Sequence, residues 1–475
     1  MKKLLSLALL LITAQCFAQK TKQDVINSID AQANPYADVA HKIWEFAEVG
    51  YQETKSSALL QETLAQAGFT IEKGVAGMPT AFIATFGSGK PVIGILGEFD
   101  ALPGVSQDAV PEIKPVDGRT AGHACGHHLF GTASAAAAIA VKSWLIANNK
   151  NGTIRFYGTP AEEGGSGKVY LVRDGFFKNV DLVFHWHPGA QNSASAGSSL
   201  ANKTGKFRFY GVAAHAAASP ERGRSALDGV EAMDNMVNMM REHVPQESRI
   251  HYVITRGGEA PNVVPAFAEA YYYVRHPSRE VVKDLWERLT RAAQGAALGT
   301  DTKVEWEITG GVYDLLPNET LAKLVDTNLR AVGGYTYTPE EKAFAEKIQK
   351  TFTTKVPTLT STNSISDFKV DSGSGFGSTD VGDVSWVVPT AGLSTATWVP
   401  GTAAHSWQAV AAGGTSIGNK GMMMAAKTLA LSMVDVFSTP TIVDTAWKEF
   451  RLKTGVDFKY ESLIGDRPPA LDYRK

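Results

Sequence analysis

Cysteine is scarce in this chain of 475 residues, which contains only Cys16 and Cys125. We expect Cys16 to lie in an N-terminal segment that is removed, so that Cys125 is left without a partner for a structural disulfide. A lone thiol in a protein is either a small buried apolar group or a reactive or metal-binding one.

An excess of basic charge is also missing. The chain has 46 Lys and Arg residues against 48 Asp and Glu residues, a net charge of −2. Removal of Lys2 and Lys3 with the N-terminal segment leaves 44 against 48, or −4. Binding to nucleic acid needs a basic face that neutralises phosphates, and so we expect no nucleic-acid partner.

The apolar run at the N-terminus is too short for a permanent membrane span. It covers residues 4–13, follows Lys2 and Lys3, and precedes small residues before Gln19. This pattern predicts a signal peptide over residues 1–18 and export, which we expect to be to the bacterial periplasm. A lipoprotein acylated at Cys16 is an alternative that Gln15 fits poorly. We expect no later stretch to be long and apolar enough to cross a bilayer, and therefore no membrane span.

The rest of the chain alternates predicted strands and helices, with 44% hydrophobic and 20% charged residues. This alternation predicts an α/β catalytic domain with helices on both faces of a sheet, formed by residues 19–205 and 312–475. Residues 206–311 follow the order β-α-β-β-α-β, which predicts an inserted ferredoxin-like domain. We expect a long loop over residues 356–376 and a loosely held tail over residues 466–475.

Histidines surround Cys125 in the segment 122–128, which reads GHACGHH. Zinc and similar metals accept thiolate and imidazole ligands, and the start of the Ala-rich helix predicted at 129–147 would favour the thiolate. The cluster therefore indicates a metal site. The alternative is a buried, inert cysteine beside surface histidines.

Three further clusters carry candidate chemistry. Glu162 and Glu163 follow a predicted strand, and neighbouring side chains there point in opposite directions, so one carboxylate can bind a metal while the other activates water. A solvated acidic turn is the alternative. His185 and His187 lie on one side of a strand, so one or both could face the site. His405 is a weak signal by itself.

Eight segments of the chain match one known family. They fall in order across nearly the whole predicted mature chain and read GEFDALPG (97–104), GHACGH (122–127), PAEEGG (160–165), WHP (186–188), AAHAA (213–217), PNVVP (261–265), STDVGDVSW (378–386) and GTAAHSW (401–407). The chain thereby resembles the dinuclear-metal amidohydrolases and carboxypeptidases that include hippurate hydrolase, the auxin-conjugate hydrolases and glutamate carboxypeptidase.

The resemblance implies a role for each matching residue. Cys125 would bridge two divalent metal ions, zinc or manganese, and Glu162 would be the general base that also protonates the leaving amine. Asp100 would orient a ligand. The terminal metal ligands implied are His127, Glu163, His187 and His405. Many relatives have Asp where this chain has His128, which leaves His128 as a spare ligand or a spectator.

The resemblance also implies substrates and partners. The substrate would be an N-acyl or N-aroyl amino acid, such as a p-aminobenzoyl-glutamate-like conjugate, and Asn262 and Arg275 would bind it. The 206–311 domain would act as a lid and form a homodimer, in which His215 reaches the active site of the partner chain to stabilise the oxyanion. A related second type of subunit is a further expectation.

Three other functions remain open from the residues. A metallodipeptidase or aminopeptidase-like hydrolase would use the same site. A cysteine-nucleophile hydrolase would use Cys125 with His127 or His405 as base, and would leave Glu162 and Glu163 without a task. A non-catalytic metal-stabilised binding protein would need no general base.

Overall fold

The computed structural model describes residues 20–374 and 377–474. The predicted signal peptide and Cys16 lie outside the described residues. The helices are α1 (Lys22–Asp30), α2 (Ala33–Phe46), α3 (Thr54–Gln66), α4 (His127–Ala147), α5 (Glu162–Gly165), α6 (Gly167–Arg173), α7 (Ala226–Met240), α8 (Arg279–Gly299), α9 (Glu319–Val332), α10 (Pro339–Gln349), α11 (Val381–Ser385), α12 (Trp407–Gly413), α13 (Ser416–Ser438) and α14 (Thr441–Thr454). The strands are β1 (Thr70–Lys73), β2 (Phe82–Ser88), β3 (Val92–Glu98), β4 (Leu102–Pro103), β5 (Ala121–Gly122), β6 (Gly152–Thr159), β7 (Leu182–Gly189), β8 (Ala196–Ser198), β9 (Ala201–Tyr210), β10 (Arg249–Arg256), β11 (Phe267–His276), β12 (Lys303–Val312), β13 (Val370–Ser374) and β14 (Thr390–Ala396).

A six-stranded sheet forms the centre of the larger part of the molecule, in the order β1-β2-β6-β3-β7-β14. Strands β6, β3, β7 and β14 run parallel, whereas β1 and β2 pair antiparallel at one edge. Every residue of β3 is buried, as expected for a parallel strand covered on both faces. The predicted α/β class, with helices flanking the sheet, is therefore confirmed.

Helices α4 and α13 pack against each other and against strands of this sheet. By length and hydropathy alone both could cross a membrane, so the expectation that no later stretch is long and apolar enough was wrong. However, 78% and 83% of their most apolar windows are buried inside the fold. Their apolar character is accounted for by the protein interior.

A separate four-stranded antiparallel sheet has the order β10-β11-β9-β12 and carries α7 and α8. The element order from β9 to β12 is the β-α-β-β-α-β pattern of a ferredoxin-like domain. Strand β9 begins at Ala201 and β12 ends at Val312, so the sheet extends beyond both ends of the 206–311 range. Its helices bury side chains such as Met233 and Leu289 in a hydrophobic core of their own.

Two segments are more regular than the sequence suggested. The range expected to be a loop contains a short 3₁₀ helix, Leu359–Asn363, and strand β13, which pairs in parallel with β8. The tail expected to be loosely held is hydrogen-bonded, since Gln52 Nε2 donates to the Leu471 carbonyl at 2.8 Å. Both expectations rested on polar composition, which does not register contacts made with distant parts of the chain.

Candidate metal centre

The central sheet brings three of the sequence clusters to one edge. Glu98 ends β3 and is followed by Asp100, Glu162 comes just after β6, and His187 lies near the end of β7. These three strands are parallel, and so their carboxyl ends meet at the same edge of the sheet.

Cys125 reaches this edge from the turn that precedes α4. Gly126 has a φ of +78°, and a Cβ at this position would lie 2.6 Å from the Pro188 Cβ. Only glycine accepts this conformation and this close approach without strain. The turn leaves the Cys125 Sγ atom 3.4 Å from His187 Nε2 and starts α4 at His127.

Two groups of possible metal ligands share Cys125. In each group the donor atoms all lie within 4.8 Å of one another, and the members are Cys125, His127 and His187 in one group and Cys125, Glu163 and His405 in the other. A thiolate common to two sets of ligands is the arrangement expected of a residue that bridges two ions. Thiolate, imidazole and carboxylate together suit zinc and similar transition metals.

Unsatisfied polar atoms in the site support this fit. Among the described residues, His127 Nε2 and Glu163 Oε1 are buried without a hydrogen-bond partner. His405 Nε2 lies 3.1 Å from Glu163 Oε1, and His127 Nε2 lies 3.0 Å from Glu98 Oε2, but neither pair is aligned as a hydrogen bond. Buried polar atoms without partners are costly, and bound cations would satisfy these.

Asp100 links two of the candidate ligands. Its Oδ1 atom lies 2.9 Å from His127 Nδ1, and its Oδ2 atom accepts a hydrogen bond of 2.9 Å from the Glu163 backbone N–H. Burial alone would raise the pKa of Asp100, but the His127 imidazole and these hydrogen bonds hold it below its usual value. Asp100 therefore stays ionised and fixes the orientation of the His127 ring, leaving Nε2 for a metal.

Glu162 and Cys125 have pKa values set mainly by burial. Burial, with Glu98 and Glu163 as neighbours, holds the pKa of Glu162 well above its usual value, so that this carboxyl can take up a proton. Burial also raises the pKa of the Cys125 thiol. A bound cation would favour its thiolate form.

Sequence reasoning missed a buried ion-pair network behind the site. Lys168, on α6, lies 2.7 Å from Glu98 Oε1 and 2.6 Å from Asp380 Oδ1, and none of the three side chains is more than 1% exposed. Burial opposes the charge of Lys168, but the two carboxylates raise its pKa above the usual value. Glu98 could have been noticed from its position beside Asp100, and Asp380 from its matching segment. No local pattern marks Lys168.

His128 is not one of these ligands. It is buried, and its Nε2 atom donates a hydrogen bond of 3.0 Å to the Gly413 carbonyl. Burial holds the pKa of His128 well below its usual value, so the ring is neutral. His128 therefore has a structural role, as a spectator to the metal site.

A cavity of about 610 Å³ opens beside the candidate ligands. Arg275 of β11 lines it, together with Glu162 and the ligands Cys125, Glu163, His187 and His405. Its remaining lining comes from the four-stranded sheet, from the segment 377–380 and from the segment 466–474, and includes Asn202, Thr204, Tyr273, Ser378 and Arg474.

Two predicted site residues lie elsewhere. His215 and Asn262 are exposed on neighbouring loops of the ferredoxin-like domain, where the Ala216 N–H donates to the Asn262 carbonyl at 3.0 Å. Neither side chain lines the cavity of its own chain. The other eight predicted residues meet at the edge of the central sheet or line the cavity beside it.

Comparisons with known proteins agree with this architecture. The model of peptidase family M20/M25/M40 matches residues 94–368. The chain is 41% identical over 462 residues to one of the two subunits of p-aminobenzoyl-glutamate hydrolase, the B chain, of Escherichia coli (strain K12), covering 92% of this chain and 96% of that protein. It is 30% identical over 448 residues to Xaa-Arg dipeptidase of Mus musculus, covering 91% and 92%.

A solved structure shows the same fold. It is the Bacillus subtilis YXEP protein, described as a dinuclear metal binding peptidase from the M20 family, with a TM-score of 0.57, 17% identity and coverage of 86% of this chain and 99% of that one. The resemblance drawn from the sequence segments is thus confirmed. The chain belongs to peptidase family M20/M25/M40 and is a metal-binding hydrolase that acts on amides.

Proposed function

We propose that this protein is a metal-dependent amidohydrolase that cleaves the amide bond of N-acyl or N-aroyl amino acids, including p-aminobenzoyl-glutamate-like conjugates. The observation that carries the proposal is the sharing of Cys125 by two groups of candidate ligands on the wall of a cavity that also holds Glu162 and Arg275. A structural metal site would need neither a nearby base nor an open cavity.

Cys125, His127, Glu163, His187 and His405 would hold two divalent ions, zinc or manganese. Bound in this way, the ions polarise the scissile carbonyl and acidify water. Glu162 takes the proton from the attacking water, since its raised pKa favours the protonated carboxyl, and then delivers that proton to the leaving amine. Asp100 keeps the His127 ring oriented through this cycle.

Arg275 would bind the carboxylate of the amino-acid half. Its side chain lines the cavity, and a guanidinium is the side chain best matched to a carboxylate in shape and charge. We propose that His215 and Asn262 serve the site of a partner chain, because both are exposed on the ferredoxin-like domain and outside the cavity of their own chain.

The two relatives suggest different amino-acid halves. One is named for a glutamate conjugate and the other for dipeptides that end in arginine. The guanidinium of Arg275 in the cavity favours an anionic group and disfavours a second cation. We therefore place acyl-glutamate conjugates first and a dipeptidase activity second.

The proposal is tested by assaying a panel of N-acyl and N-aroyl amino acids and dipeptides, including p-aminobenzoyl-glutamate. Turnover should require added zinc or manganese after treatment with a chelator, and alkylation of Cys125 should be slow while metal is bound. Full activity in the metal-free protein, or rapid alkylation of Cys125 in the metal-loaded protein, would overturn it.

Export, dimerisation and a second type of subunit form part of the same proposal. The leader-like segment 1–18 supports export to the periplasm, and the Escherichia coli relative, whose name makes it one of two hydrolase subunits, supports a requirement for a related second chain. Cell fractionation checks the location and the maturation site, including acylation at Cys16. Light scattering, alone and after mixing with a homologue of the other hydrolase chain, checks the assembly.

A further inference from the structure

The segment 466–474 runs along the wall of the catalytic cavity. Gln52 Nε2 donates to the Leu471 carbonyl at 2.8 Å, and the Tyr473 hydroxyl donates to the Glu163 carbonyl at 3.0 Å. The Tyr473 ring also meets Tyr51 edge-on, with centroids 5.6 Å apart. These contacts hold the segment against the backbone that carries the candidate general base and a candidate ligand.

Arg474 extends from this segment into the cavity. One guanidinium nitrogen, Nη2, donates to the Glu163 carbonyl at 2.7 Å. The Nε atom is buried and finds no hydrogen-bond partner within the part of the chain that the structure describes. Arg474 is thus anchored at one nitrogen and leaves donor capacity directed at the cavity.

Arg275 presents a second guanidinium to the same cavity. Its Nε atom is likewise buried without a partner in the described ranges 20–374 and 377–474. Both positive charges lie close enough to the Tyr273 hydroxyl to lower its pKa, although burial raises that pKa overall. The cavity therefore contains two partly unsatisfied arginines, which come from different parts of the chain.

We propose that Arg474 is a specificity-determining residue that binds a second carboxylate on the substrate. This inference rests on the proposed function, in which Arg275 already binds one carboxylate. Every N-acyl amino acid has one α-carboxylate, whereas only conjugates of an acidic amino acid, glutamate or aspartate, have a second. Two unsatisfied guanidinium groups match this dicarboxylate class.

The same arrangement disfavours other amino-acid halves. A neutral side chain leaves the Arg474 donors unpaired in a buried place, which costs binding energy. A cationic side chain adds repulsion between like charges. Arg474 thus separates acidic substrates from neutral and basic ones, without taking part in bond cleavage.

The test compares matched substrates in Arg474→Ala and wild type, with N-acyl-glutamate and its isosteric amide N-acyl-glutamine. A lost hydrogen bond between charged groups is worth roughly 1.5–3 kcal/mol, so kcat/KM for the glutamate conjugate should fall about 10- to 150-fold, mainly through KM. Activity on the glutamine conjugate should change by less than about threefold, because that substrate leaves the lost donors unused in the wild type too. Arg474→Lys should recover part of the loss, and Asp472→Ala, an exposed neighbour, serves as the matched control.

Other outcomes would overturn the inference. An equal fall of kcat on both substrates, together with lower metal content, would mean that Arg474 acts by holding the Glu163 backbone. Unchanged kinetics on both substrates would mean that it is a surface residue. If wild type hydrolyses neither conjugate while metal-loaded, the proposed function itself fails.

Discussion

Replacing Lys168 by Met should strongly destabilise the protein. Met is close to Lys in length but removes the charge that lies 2.7 Å from Glu98 and 2.6 Å from Asp380. The backbone N–H of Lys168 would still donate to Asp380 Oδ2 at 2.9 Å, but both carboxylates would remain buried without a cation. Breaking a buried ion pair by removing one partner typically costs about 3–5 kcal/mol, and this lysine serves two partners.

Urea unfolding of wild type and Lys168→Met, followed by far-UV circular dichroism, measures the loss. The double variant Lys168→Met with Asp380→Asn should lose less than the sum of the two single variants, by about 1 kcal/mol or more, because the two groups interact directly. Lys342→Met is the control, since Lys342 is exposed and lies 3.8 Å from Glu346 in a surface pair worth about 0–1 kcal/mol. A loss for Lys168→Met no larger than for this control would refute the reasoning.

Three further predictions concern residues around the site. His128→Ala should lower the free energy of unfolding by about 1–3 kcal/mol, because the Gly413 carbonyl loses its buried donor, while metal content stays at the wild-type value; a drop in metal content would make His128 a ligand after all. Gly126→Ala should lower metal affinity and stability, the left-handed backbone alone costing about 1–2 kcal/mol, as titration calorimetry and thermal melts would measure; wild-type behaviour would contradict the strained turn. Burial raises the pKa of Asp383 to about 7, above its value in the unfolded chain, so the stability of wild type relative to Asp383→Asn should be greatest at low pH and should fall as pH rises from about 4 to about 7; a flat difference across that range would contradict it.

The central site could be predicted because its chemistry is local in sequence. Cys125 and His127 lie in one short segment, and Glu162 and Glu163 follow a strand with recognisable apolar character. Parallel strands then bring such segments to one edge, which is a general property of the fold class. Family segments supplied His405, which carried little information by itself.

The remaining features depend on contacts between distant segments. Lys168 and Asp380 are 212 residues apart, and nothing near either one in the sequence indicates a buried pair. Arg474 lies in a segment whose prolines and charges suggested a loose tail, yet it reaches the Glu163 carbonyl across 311 residues. Composition reports what a segment contains but not what covers it, and for that reason the apolar windows of α4 and α13 also looked different in sequence and in structure.

The most direct test of the account is the metal content and turnover of Glu162→Gln, measured on the same preparation. The account assigns Glu162 to proton transfer and the two ions to Cys125 and its neighbours. It predicts two ions per chain, as in wild type, and a loss of turnover of about 10²-fold or more. Turnover close to that of wild type with both ions bound would contradict the assignment.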